Sequence, residues 1–133
     1  MPVSLPLAAS RNVDFGPTIE LFYFGDPLPL TGAAVSMQWR LYAGAAGDPL
    51  LDLPTITFED EAAATAAHPD RRVLRLFPSA TNETLTALPG LNTPEAGSPQ
   101  YFRHDIIITY ADSATEKLAY GPIILWPGVT VNG

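Results

Sequence analysis

Fourteen prolines and ten glycines are spread through 133 residues, and they fall between short apolar runs rather than in one tract. A proline inside a helix removes a hydrogen bond and clashes with the preceding turn, costing about 3 kcal/mol, so this punctuation opposes long helices and favours strands joined by turns. The chain is expected to be all-β. Its length suits a single domain over residues 1–133, able to bury roughly two-thirds of its unfolded surface without cross-links. With 47% apolar and 16% charged residues it has the profile of a folded chain.

Strand side chains alternate between two faces, and that period recurs along the sequence. From Asp14 to Phe24, Phe15, Ile19, Leu21 and Tyr23 share one parity, with Gly16-Pro17 marking a bulge or kink. From Val35 to Tyr42, Val35, Met37, Trp39 and Leu41 are placed inward, and Ser36, Gln38, Arg40 and Tyr42 outward. Gly25 to Gly32 is a connection able to cross between sheets. Weaker strands are read at Leu50 to Leu53, Thr55 to Glu59, and Arg72 to Phe77, where Val73, Arg75 and Phe77 oppose Arg72, Leu74 and Leu76.

Two long strands follow, Tyr101 to Ala111 and Lys117 to Trp126, joined by a hairpin at Asp112 to Glu116. The run Ile106-Ile107-Ile108 predicts that the first of them is central and covered on both sides. One helical turn is expected from Ser79 to Leu88, capped by Ser79, anchored by Leu85 and Leu88, and stopped by Pro89-Gly90. Glu59 to His68 reads as a solvated loop or frayed helix. About seven strands with one short helical turn predict an immunoglobulin-like antiparallel β-sandwich, with a small closed barrel as the alternative.

A net charge of −7 opposes any role that begins by neutralising phosphates, so nucleic acid is not an expected partner. The first residues carry no basic segment and no apolar run reaches eighteen residues, which predicts a protein made in the cytoplasm without an export signal or membrane span. The absence of cysteine removes disulfides, thiol nucleophiles and thiolate metal sites. His68 stands near Asp70 and His104 beside Asp105, but neighbours on a strand face opposite sides and cannot readily pair. With no G-x-S-x-G, H-E-x-x-H, P-loop or G-x-G-x-x-G motif, neither an enzyme nor a cofactor is expected.

Glu59-Asp60-Glu61 with Asp70 match no calcium loop and read as an acidic edge. Asn82-Glu83-Thr84 fits the glycosylation triplet by chance. Trp39, Trp126, Tyr101 and Tyr120 are either a sugar-stacking platform or, as the inward parity of Trp39 favours, core and interface residues.

Leu30-Thr31-Gly32-Ala33-Ala34-Val35 precedes Gln38-Trp39-Arg40, and Val73-Leu74-Arg75-Leu76 precedes Leu85 to Gly90. The ending carries Arg103-His104-Asp105-Ile106, Ile108-Thr109, Leu118-Ala119-Tyr120-Gly121 and Trp126-Pro127-Gly128-Val129-Thr130. This running order resembles phage structural domains, among them the N-terminal β-sandwich of upper baseplate proteins and related small tail or head-fibre virion proteins. The resemblance implies a non-catalytic virion component that docks to other virion proteins and to its own copies as a homo-oligomer.

The stretch from Leu91 to Pro99 is longer than in that pattern, which makes Leu91, Asn92, Pro94 and Pro99 candidate contact residues. The apolar tail adds Trp126, Pro127, Val129 and Val131, expected to pack on the domain or on a neighbouring copy. Arg40 is expected to pair with Asp105 across a sheet. The competing readings are a carbohydrate-binding sandwich for host-surface glycan and a small-ligand barrel.

Overall fold

The computed structural model describes residues 2–129. The elements are β1 (Val3–Ser4), β2 (Leu7–Ser10), β3 (Ile19–Phe24), β4 (Ala34–Arg40), β5 (Leu51–Ala62), β6 (Arg71–Phe77), α1 (Asn82–Thr86), β7 (Gln100–Thr109) and β8 (Thr115–Trp126). The fold is all-β: one sheet in the order β1-β8-β7-β4-β5-β6-β3, with β2 also on β8, curled into a half-barrel.

This single path replaces the two separate sheets of the expected sandwich, and β5 is the reason. Its first half pairs with β4 and its second half with β6, so one long strand joins the two halves. The expected strands at 50–53 and 55–59 are one strand, which runs on to Ala62 through residues expected to be loop or frayed helix. Pro54 is tolerated because the register slips there: Val35 faces Ile56 while Met37 faces Leu53, leaving an extra residue that needs no ladder hydrogen bond.

The antiparallel expectation also fails at the N-terminus. β1 and β2 lie parallel to β8, with Val3 opposite Ala119 and Leu7 opposite Ile123. Between them Leu5 folds over Gly121, where a side chain would collide with the Leu5 carbonyl; Gly121 also has a φ of +153°, which disfavours other residues. His104, on the neighbouring strand opposite Gly121, meets the Leu5 carbonyl oxygen through Nε2 at 2.7 Å. That oxygen only accepts, so Nε2 carries the proton.

Inward parity builds the core. Ile19, Leu21 and Tyr23 of β3, Val35, Met37 and Trp39 of β4, and Phe102, Ile106 and Ile108 of β7 are buried in one cluster with Leu74, Leu76 and Leu85. Trp39 is fully buried and meets Phe15 edge to face at 5.4 Å. Leu41, placed inward by its parity, is 56% exposed because β4 ends at Arg40. Val73 and Leu74, on opposite parities of β6, are both buried. Ile107 is half-buried, so β7 is central in the sheet but closed over on one side only. The helical turn is capped by Thr81 rather than Ser79, with Oγ1 of Thr81 accepting from the Thr84 amide at 3.3 Å.

Arg11 completes the frame. Its guanidinium is buried and donates to the carbonyls of Leu85, Thr86, Leu88 and Pro89 and to Oε1 of Gln100, at 2.6–3.1 Å. The carbonyls that end a helix have no partner within it, and here one side chain supplies it. Gln100 in turn donates through Nε2 to the carbonyls of Thr93 and Ser98, which fixes the 91–99 loop.

Three outcomes are expected. Trp39→Ala lowers stability by about 3–5 kcal/mol in chemical denaturation, as for other large core truncations. Arg11→Met costs about 2–4 kcal/mol, because buried acceptors lose their donor. The third concerns pH: burial holds the His104 pKa below its ordinary value, against the smaller upward effects of the Leu5 hydrogen bond and Asp105. The unfolded chain therefore binds the proton first, so this contribution is intact above about pH 6.5 and is lost as pH falls toward the lowered native value. The urea midpoint should drop between about pH 7.5 and pH 5.5, and drop less in His104→Gln.

Candidate functional site

The register of β4, β7 and β8 sets the outer face of the sheet. Arg40 lies opposite Arg103 and Gln38 opposite Asp105, while Asp105 faces Tyr120 and Tyr101 faces Ile124 on β8. Directly opposed residues share a face, so these side chains form one surface. At its centre a cavity of about 310 Å³ opens between Arg40, Arg103, Lys117, Tyr42 and Tyr120.

Arg40 is held in place. Its Nη1 donates to the carbonyls of Ala45 (2.9 Å) and Gly47 (2.6 Å), and its Nη2 to Oε1 of Gln38 (3.3 Å). The expected Arg40–Asp105 pair is not formed, because Asp105 lies two register pairs away, opposite Gln38, and Arg40 turns to the loop after β4. Asp105 instead lies 3.8 Å from Nζ of Lys117, with both side chains well exposed. Such a pair contributes little, about 0–1 kcal/mol. Lys117 also stands 6.0 Å from the ring of Tyr120.

The two segments expected to make contacts end up at one end of this face, since Gln100 pairs with Leu125. Leu91, Asn92 and Pro94 are exposed and Pro99 is partly buried. Pro94 and Pro99 line a cleft of about 350 Å³ with Leu41 and Tyr101. Trp126 is 47% exposed over a second cleft with Val13, Phe15 and Pro17, and its carbonyl accepts from the Arg11 amide at 2.8 Å. Pro127 is partly buried and Val129 almost wholly exposed; Val131 lies outside the described residues. Of the four aromatics considered for a platform, Trp39 is in the core, whereas Tyr101, Tyr120 and Trp126 stand on the surface.

The remaining polar candidates lie elsewhere. His104 points inward and Asp105 outward, as neighbours on a strand must, and His68 packs near Phe24 at 5.4 Å. Asp60 accepts from Tyr23 (2.7 Å) and Arg72 (3.0 Å), and Glu61 is ion-paired with Arg75, so those two carboxylates of the acidic run serve cross-strand contacts. Among the described residues no group of three or more His, Asp or Glu is placed to hold a metal ion, and no helix is long and apolar enough to cross a membrane.

Sequence reasoning did not single out Arg103 or Lys117, or Phe22 and Phe24 on β3. The two phenylalanines are 47% and 57% exposed on a strand paired only through β6. Their signal was present: in Ile19–Phe24 both parities are aromatic or aliphatic beyond Glu20, more than one buried face requires. Arg71 covers Phe22 at 4.5 Å from the ring centre.

No protein-family model matches the chain, and no curated protein matches it.

Proposed function

We propose that this chain is a non-catalytic structural module of a bacteriophage or prophage particle, a tail, baseplate or head-fibre adaptor that acts through protein–protein contacts. The observation that carries the docking part is the outer face of β7 and β8. Tyr101 (66% exposed), Tyr120 (39%) and Trp126 (47%) stand there beside Arg40 and Arg103, over a rigid central sheet. Tyr, Trp and Arg are the residue types that dominate binding energy in protein interfaces, and large exposed aromatics gathered on one face mark interaction surfaces. The running order of segments set out above supports the virion setting. Mass spectrometry of purified particles tests that setting, which predicts the chain at a fixed ratio to a known tail or head protein; particles without it contradict the reading.

A glycan-binding module is the second reading, since the same three surface aromatics could stack on sugar rings. A glycan array separates the two: specific retention of one glycan class favours it.

In solution the full chain is expected to self-associate, with light scattering giving a mass above 14.2 kDa. A chain ending at Leu125 should be monomeric, and Trp126→Ser, which keeps the backbone hydrogen bond to Arg11, should weaken association about tenfold or more. A strictly monomeric full chain would contradict self-docking through this face.

A further inference from the structure

The chain has seven Lys and Arg residues against fourteen Asp and Glu, so the placement of each cation is informative. Arg11 is caged by carbonyls, Arg72 and Arg75 are ion-paired with carboxylates, and Arg71 covers Phe22 and donates to the Ala63 carbonyl. The other three, Arg40, Arg103 and Lys117, line one outer-face cavity of about 310 Å³. Asp105 is the single carboxylate that lines it, 3.8 Å from Nζ of Lys117.

Two of these cations stand directly opposite each other, Arg40 on β4 and Arg103 on β7. Like charges at opposed positions destabilise a sheet, so the fold gains nothing from the arrangement. The Arg103 guanidinium makes no hydrogen bond or ion pair with any described residue. Arg40 uses three of its five N–H donors to hold its guanidinium against the loop and Gln38, which leaves two for a ligand. A fixed guanidinium with donors to spare, beside a second one, suits a planar carboxylate.

We propose that this pocket receives a carboxylate side chain from an acidic segment of a partner protein. The proposal rests on the docking reading and specifies the partner's chemistry: Arg103 and Arg40 grip the carboxylate, Lys117 adds attraction, and Tyr42 and Tyr120 flank it. The cavity admits a side chain or two, and in a protein of net charge −7 three of the seven cations line it against one carboxylate.

The test is an amide-resolved NMR titration of the isolated full chain with a capped tri-glutamate peptide, with capped tri-glutamine and sodium glucuronate as comparison arms. Tri-glutamate should shift the amides of Arg103, Asp105 and Tyr120, tri-glutamine should not, and glucuronate should bind more weakly than the peptide. Arg103→Gln should weaken tri-glutamate binding about tenfold, the scale of one lost charged hydrogen bond. Its melting temperature should stay level or rise, since a like-charge contact is removed. Absent shifts, equal response to tri-glutamine, tighter binding of glucuronate, or a lower melting temperature in Arg103→Gln would each overturn the proposal. The peptide is titrated without any partner, so failure here leaves the light-scattering result to judge docking separately.

Discussion

Arg11 sits where three parts of the chain, distant in sequence, must meet, and its guanidinium joins them with five hydrogen bonds. Burying a charge away from water is costly unless its donors are satisfied. Here the end of α1, the turn after it and Gln100 of β7 satisfy all but Nε, while the Arg11 amide reaches the Trp126 carbonyl of β8. One residue thus fixes the N-terminal arm, the helical turn, the 91–99 loop and the end of the β7–β8 hairpin. The outer face depends on this frame, because the surface aromatics Tyr101 and Trp126 stand directly beside it.

The curl of the sheet then decides which side chains are left for partners. Because β5 serves both halves, the apolar parities of β3, β4, β6, β7 and β8 turn toward one interior and fill it with Trp39, Met37, Leu74 and Ile106. The clefts among the described residues lie at the surface. What remains outward is a polar and aromatic face over the central strands and a β3 edge bearing Phe22 and Phe24. The proposed docking would use these positioned Tyr, Trp and Arg side chains.

Much of this was readable from local pattern. The inward sets of β4 and β7 follow from strict alternation, and the buried Trp39 with them; Leu41 broke the pattern only because the strand stopped one residue earlier. β1 and β2 could not be read, since they are two and four residues long and their partner, β8, lies more than a hundred residues away. Pro54 suggested a break because prolines usually end strands, and only the slip in the β4 register shows how one is accommodated. The surface aromatics were named from the sequence. The Arg40–Arg103 juxtaposition was not, because it depends on strand register: a slip of two residues would have set Arg40 against Asp105 on the same face.

Native-state hydrogen exchange tests the role of Arg11 most directly. In the wild-type chain the amides of Leu5, Arg11 and Leu88, bonded to the carbonyls of Tyr120, Trp126 and Leu85, should open together, at a free energy close to that of global unfolding. In Arg11→Met all three should exchange much faster as a group, while the amides of Val35 and Ile106 in the central strands remain the slowest. Rapid exchange of the N-terminal arm in the wild-type chain, or loosening of one of these segments without the others, would contradict a frame held by this guanidinium.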